Sequence, residues 1–121
     1  MKNNSSRHMI LLKVFASEMK VLIQSPVFVM LTILGNSLIC FFSYIFYLIE
    51  SPANAKIQSF MDALWWGFST ATTTGYGDIT PATTSGKLLG IILMLTGMAL
   101  FGMFTALFAE TILTSARHKK D

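Results

Sequence analysis

The residues best suited to a chemical task are seven consecutive ones, Thr-Thr-Thr-Gly-Tyr-Gly-Asp, at positions 72–78. Rings of backbone carbonyl oxygens can replace the hydration shell of a cation. Aiming successive carbonyls at one axis needs left-handed backbone conformations at intervals, which glycine adopts without a Cβ penalty. Gly75 and Gly77 supply that alternation, and the Thr73 hydroxyl is placed to close the innermost site. The carbonyls of the predicted cation-coordinating strip belong to Thr73, Thr74, Gly75 and Tyr76.

A glycine-containing surface turn is the competing interpretation of this segment, and the surrounding sequence bears on the choice. Of the 121 residues, 53% are hydrophobic and only 12% are charged, whereas soluble domains carry roughly 25% charged residues. Two stretches without any charge, 27–49 and 88–109, flank the segment, and each exceeds the ~20 residues that a helix needs to cross a bilayer. We therefore predict an outer membrane-spanning helix at 26–50 and an inner one at 86–114.

A third, shorter helix is predicted between these two spans. Ser59-Phe60-Met61-Asp62 has the form of a capping box, which opens a helix over 59–72. That helix is too short to span a bilayer, so it is either a re-entrant helix leading into residues 73–78 or an aromatic helix lying at the interface. Irregular backbone at membrane depth must be buried or must line a water-filled path. One chain supplies a strip of carbonyls and not a ring, so coordination requires assembly.

The charges lie mostly near the two ends of the chain. Lysine and arginine close to helix ends mark the cytoplasmic side, so both termini are expected in the cytoplasm. Within the N-terminal region 1–25, residues 9–23 predict an amphipathic helix at the inner membrane surface, with a soluble extension of the outer helix as the alternative. Residues 115–121 form a basic tail. Nucleic acid is not an expected partner, because the positive residues are not clustered along one element.

The segment from Trp65 to Asp78, followed by Pro81 and Gly86, resembles the pore module of potassium channels, especially the prokaryotic type with two membrane-spanning helices. The resemblance extends over about residues 26–109. It implies an all-α membrane protein with two transmembrane helices, a re-entrant pore helix and a selectivity-filter loop, assembled as a homotetramer in the plasma membrane. The implied function is passive, selective conduction of dehydrated K⁺ through the filter, with K⁺ as the permeant ligand and no cofactor.

The resemblance also implies roles for residues around the filter. An aromatic cuff of Trp65, Trp66 and Tyr76 would brace it, with a hydrogen bond from Trp66 to Asp78 and with Tyr76 reaching the pore helix near Trp66 or Thr70. The expected filter-supporting residues are Trp65, Trp66, Ser69, Thr70 and Asp78. Thr74 and Ser69 depart from the valine, isoleucine or glutamate usual at their positions, and they bear on inactivation more than on selectivity.

On the inner helix, the resemblance implies that one face lines the cavity and gate. Gly97 corresponds to the family's hinge glycine, with simple helix packing as its alternative, and Gly102 to a close-packing glycine. The cavity-lining residues are expected to be Met98, Phe101, Thr105 and Ala109, which are spaced three or four apart.

Other function classes are less consistent with the sequence. Coupled transporters with similar pore loops usually carry four degenerate repeats, and a non-conducting membrane subunit needs no intact filter. An enzyme is not expected, because the chain has no recognisable catalytic or metal-binding cluster, and its single cysteine, Cys40, is a packing residue. No arginine-rich voltage sensor is present. Either this pore works alone, or a regulatory domain or subunit outside this chain controls it.

Overall fold

The computed structural model describes residues 2–117, which form four α-helices: α1 (Lys2–Gln24), α2 (Pro26–Glu50), α3 (Phe60–Ala71) and α4 (Thr84–Arg117). None of these described residues is assigned to a β-strand. Helices α2 and α4 are long and apolar enough to cross a membrane, and the 12-residue α3 is too short to do so. The expected all-α architecture with two spanning helices is confirmed.

The helix ends differ in places from the predicted ones. Helix α1 begins at Lys2, well before residue 9, because residues 2–8 contain neither glycine nor proline to stop it. Helix α4 extends beyond the predicted 86–114 at both ends, so the first residues of the expected basic tail are helical. Residues 118–121 of that tail lie outside the described residues.

Helix α2 has the predicted bounds, 26–50, and starts at a Ser25-Pro26 pair, which is a helix-start signal. Its first residue is Pro26, and the Ser25 hydroxyl accepts a hydrogen bond from the Phe28 backbone N–H at 3.2 Å. A proline at the first position lacks an N–H that the helix could not satisfy in any case. Helix α1 therefore ends at Gln24 and a new helix begins directly after Ser25.

The chain divides into two compact units, one made of Thr32–Gly102 and the other of the segments on either side. In the unit made of the segments before Thr32 and after Gly102, the Phe28 ring packs edge-on against Phe104 and Phe108. The ring centroids are 5.6 and 6.2 Å apart. These contacts join the first turn of α2 to the C-terminal half of α4.

The Thr32–Gly102 unit is built around α3. The Trp66 indole stacks on the Phe46 ring of α2, with centroids 3.5 Å apart, and both side chains are buried. Small residues let the neighbouring helices approach: Gly67 lies against Ser43 of α2, and Gly97 of α4 lies against the backbone of Ala71. The remaining core residues are Ile57, Ala63, Ala71 and Leu93. Helix α3 is thus held between the two spanning helices, which fixes the position of its C-terminal end.

The N-terminus of α3 is closed by Asp62. One carboxylate oxygen, Oδ2, accepts hydrogen bonds from the Ser59 N–H at 2.8 Å, the Gln58 N–H at 3.0 Å and the Ser59 hydroxyl at 2.9 Å. The backbone N–H of Ser59 is the main cause that lowers the pKa of Asp62. This is the carboxylate half of the expected capping box.

Candidate ion-coordination site

The backbone after α3 changes handedness at every second residue. Thr73 has a φ of 61°, Gly75 of 56° and Gly77 of 77°. A backbone that alternates in this way turns successive carbonyls toward the same side, which an extended strand cannot do. The glycines adopt this conformation without cost. Thr73 does not, and a β-branched residue at positive φ is a strained position of the kind that clusters at functional sites.

Backbone hydrogen bonds tie this segment to the last turn of α3. The Thr73 N–H donates to the Thr70 carbonyl at 3.1 Å, and the Gly75 N–H donates to the Ser69 carbonyl at 3.0 Å. The Tyr76 N–H points to the Ser69 hydroxyl oxygen at 3.4 Å. These three N–H groups are therefore directed at α3 and hold the segment against the last turns of that helix.

The Thr74 side chain, which departs from the family pattern, also connects the segment to α3 through hydrogen bonds. Its hydroxyl lies 2.9 Å from the Thr72 hydroxyl, which donates in turn to the Phe68 carbonyl at 2.7 Å. With the Thr72 proton directed at Phe68, Thr74 is the donor in the hydroxyl pair. A valine or isoleucine at this position could not make this bond.

The aromatic cuff is arranged differently from the expectation. The Trp65 indole N–H donates to the Asp78 carboxylate at 2.8 Å, and the Tyr76 ring stacks on Trp65, with centroids 5.4 Å apart. The predicted hydrogen bond from Trp66 to Asp78 is wrong, because Trp65 makes it. Within the chain Tyr76 contacts α3 at Trp65, and its predicted reach to the pore helix near Trp66 or Thr70 stays a prediction. Consecutive helical residues point about 100° apart, so when Trp66 faces the core against Phe46, only Trp65 faces the loop.

Three polar residues that the sequence did not single out hold the loop between Asp78 and the start of α4. Glu50 is fully buried at the end of α2. Its Oε2 accepts from the Ala82 N–H at 2.7 Å, and its Oε1 accepts from the Thr83 N–H at 2.9 Å and the Thr83 hydroxyl at 2.6 Å. The carboxylate thereby caps the start of α4. The sequence feature that could have indicated this capping role is the position of Glu50, directly after the charge-free stretch 27–49.

Asn54 and Lys56 continue this set along the loop. The Asn54 side-chain amide donates to Glu50 Oε2 and to the Thr80 carbonyl, both at 2.9 Å. The Lys56 ammonium donates to the Asp78 carbonyl at 2.8 Å. We call Glu50, Asn54 and Lys56 the outer strap, because they bind the segment from Asp78 to Thr83 at three successive points.

Asp78 is held from two directions. Its carboxylate accepts from Trp65 and its main-chain carbonyl accepts from Lys56. The Trp65 N–H is the main cause that lowers the pKa of Asp78, and the nearby Lys56 charge acts in the same direction. The carboxylate thus remains ionised below the pH at which a free aspartate takes up a proton.

Glycines and exposed side chains on α4 differ in their surroundings. A Cβ on Gly97 would lie 2.7 Å from the Ala71 Cα, whereas a Cβ on Gly102 would meet no atom within 4 Å in the described chain. Gly97 is therefore the glycine that packs closely within the chain. The close packing expected of Gly102 has no partner among the described residues.

The residues expected to line the cavity are all exposed in the single chain: Met98, Phe101, Thr105 and Ala109.

A family model described as "Ion channel" matches residues 21–114. A voltage-gated potassium channel from Aeropyrum pernix is 49% identical over 72 residues, covering 59% of this chain and 22% of the relative. The calcium-gated potassium channel TvoK from Thermoplasma volcanium is 32% identical over 65 residues, covering 53% of this chain and 19% of the relative. The chain spans less than a quarter of the length of these curated relatives.

Two crystal structures of a voltage-gated K⁺ channel in a closed state in lipid membranes are also similar. A pore module superposes with a TM-score of 0.59 at 39% identity, covering 74% of this chain and 90% of that one. A pore domain superposes with a TM-score of 0.51 at 39% identity, covering 60% and 84% of the two chains. The family match includes α2, α3 and most of α4, the elements that hold the 73–78 segment. The chain therefore belongs to the ion channel family and has the fold of a potassium-channel pore module.

Proposed function

We propose that this chain is one subunit of a potassium-selective channel and that residues 73–78 form its selectivity filter. The observation that carries the proposal is the left-handed backbone at Thr73, Gly75 and Gly77, joined by N–H bonds to the end of α3. A permeating K⁺ exchanges its hydration shell for filter oxygens. The proposed K⁺-coordinating oxygens are the carbonyls of Thr73, Thr74, Gly75 and Tyr76 and the Thr73 hydroxyl.

Assembly follows from the same geometry. One strip of carbonyls cannot surround an ion, and carbonyls left unpaired at membrane depth would each cost several kcal/mol. Four identical chains around one axis would complete the coordination, in line with the family resemblance. Each α3 would then direct the partial negative charge of its C-terminus toward the axis. Four such ends favour a cation in the middle of the bilayer.

Support of the filter is assigned to residues on α3 and to Asp78. Trp65 holds Asp78 and Tyr76, and the Ser69 and Thr70 carbonyls accept the filter N–H groups. Trp66 acts indirectly, because its stacking on Phe46 fixes the rotation of α3. Met98, Phe101, Thr105 and Ala109 would line the cavity of the assembled pore, with Gly97 as the gating hinge.

The proposed topology places both termini in the cytoplasm of the cell and the outer strap outside. Helix α1 exposes many apolar side chains, including Met9, Ile10 and Val14, and carries Lys13 and Lys20. Such a helix suits the inner membrane surface, where lipid contacts cover the apolar residues. Passive conduction distinguishes this proposal from a coupled transporter and from a non-conducting subunit.

The proposal is tested by ion flux in liposomes that contain the purified protein. Potassium, rubidium and thallium are expected to pass far better than sodium, because the carbonyl strip replaces the hydration shell of the larger ions. Protein-free liposomes are the control for leak. Equal permeability to sodium and potassium would refute the filter assignment.

A further inference from the structure

We propose that Lys56 is a positioning residue that ends the selectivity filter on its outer side, an inference that rests on the proposed channel function. The contact that carries it is the 2.8 Å hydrogen bond from the Lys56 ammonium to the main-chain carbonyl of Asp78. Asp78 is the first residue after the alternating segment that ends at Gly77. An ammonium group bound to this carbonyl repels a second cation at the same oxygen, which disfavours coordination of a permeating ion there.

The position of Lys56 is fixed by its own backbone. Its N–H donates to the Asn54 side-chain oxygen at 3.2 Å, and the following residue, Ile57, is 3% exposed in the core. The Ile57 N–H also donates to the Asn54 carbonyl at 3.0 Å. The side chain of Lys56 is exposed, but it starts from a fixed point beside the filter. Its reach to Asp78 is therefore determined by the fold.

The two contacts on Asp78 act together. Trp65 holds the carboxylate and Lys56 holds the carbonyl, so the peptide between Asp78 and Ile79, directly after the alternating segment, cannot rotate freely. Carbonyl oxygens that converge on one axis repel one another when no cation lies between them. Without the Lys56 bond, the carbonyls at the Asp78 end of the filter are expected to turn away from the axis more readily when external potassium is low. The K⁺ concentration needed to fill the filter from outside should then rise.

The simplest competing role of Lys56 is purely electrostatic, and it makes the opposite prediction. A positive charge near an ion entrance lowers the local concentration of cations. Removing that charge would raise the local K⁺ concentration and would lower the concentration needed for half-maximal flux. The direction of the change therefore separates positioning from simple repulsion.

The test compares Lys56→Met, Lys56→Arg and the parent in liposome flux assays over a range of external potassium. Methionine keeps the length of the side chain but has neither charge nor donor, whereas arginine keeps both. For Lys56→Met we expect a rise of roughly two- to fivefold in the half-saturating K⁺ concentration, the size that a surface contact supports. Maximal flux at high potassium should stay close to that of the parent, and arginine should restore most of the affinity.

Lys87→Met is the matched control, because Lys87 is an exposed lysine in the first turns of α4 and the same charge is removed. It should leave the half-saturating concentration unchanged. Calorimetry of K⁺ binding to the purified protein in mild detergent gives the same comparison without flux. An unchanged or lowered half-saturating concentration in Lys56→Met, or an equal rise in Lys87→Met, overturns the inference. A parent protein that conducts sodium and potassium equally refutes the proposed function instead.

Discussion

The indole of Trp65 and the carboxylate of Asp78 are joined by a 2.8 Å hydrogen bond between α3 and the last residue of the 73–78 segment. The same indole stacks on the Tyr76 ring at a centroid distance of 5.4 Å. One side chain on α3 thus holds both the aromatic residue of the 73–78 segment and the acidic residue that ends it. The charge of Asp78 is part of this arrangement, because the indole N–H bonds best to the ionised carboxylate.

This contact predicts a specific dependence on external pH. The pKa of Asp78 is lowered in the folded chain. The ionised carboxylate therefore stabilises the folded chain fully above the ordinary aspartate pKa, and this contribution is lost as the pH falls through the lowered pKa. Conduction should therefore persist when the external pH falls to the ordinary pKa of aspartate, and should be lost only at a lower pH. In Trp65→Phe the ring remains but the N–H donor is lost, so the midpoint of acid inactivation should move to higher pH. Potassium flux at a series of external pH values measures this shift.

The control for this experiment is Lys13→Met, which removes a charge from the N-terminal helix. Its acid midpoint should equal that of the parent. If the midpoint of Trp65→Phe also stays where the parent has it, the hydrogen bond does not control the charge of Asp78.

Glu50 is expected to be important for stability. Its carboxylate accepts from Ala82, Thr83 and Asn54 while fully buried. Glu50→Gln replaces one acceptor oxygen by an NH₂ group, which leaves buried N–H donors facing another donor. The expected loss is about 1–3 kcal/mol in the free energy of unfolding. Thermal unfolding of the detergent-purified protein measures it as a lower midpoint temperature.

Glu110→Gln is the matched control for Glu50, because it makes the same chemical change at an exposed position on α4. Its unfolding midpoint should stay close to that of the parent. Equal midpoints for the two variants would show that the outer strap contributes little to stability.

Gly97 is predicted to be sensitive to the addition of a single methyl group. A Cβ at this position would overlap the backbone of Ala71, which cannot move aside as a flexible side chain would. Gly97→Ala should therefore destabilise the fold by about 1–3 kcal/mol. Thermal unfolding is again the measurement. Gly102→Ala provides the comparison, since a Cβ there meets open space in the described chain, and a similar loss in both variants would contradict the packing argument.

Much of the architecture could be predicted because it depends on local composition. The charge-free stretches 27–49 and 88–109 predict spans by length alone, and Ser25-Pro26 marks the start of α2. The two glycines of the filter segment predicted positive φ at 75 and 77, and the structure has it at both. Local signals of this kind do not require any knowledge of neighbouring helices.

The parts that sequence reasoning missed depend on rotation and on long-range contacts. Trp65 and Trp66 are adjacent and chemically identical, so only the packing of Trp66 on Phe46 decides which indole reaches Asp78. Thr73 carries no sign of its positive φ, because its strain is imposed by its surroundings. The bond between Glu50 and Thr83 joins residues 33 positions apart, which no periodicity in the sequence could indicate.

The central claim, that residues 73–78 form a selectivity filter, is tested most directly at Gly77. Its φ is 77°, and a Cβ there would meet no atom of the chain within 4 Å, so an alanine would act through the backbone conformation and not through overlap within the subunit. The left-handed region costs a non-glycine residue roughly 1–2 kcal/mol, and this cost recurs in every subunit. The measurement is potassium flux and sodium leak for Gly77→Ala and Gly102→Ala in the same liposome preparation. We predict that Gly77→Ala loses selective potassium conduction while Gly102→Ala keeps it; a Gly77→Ala channel that is as selective as the parent would contradict the account.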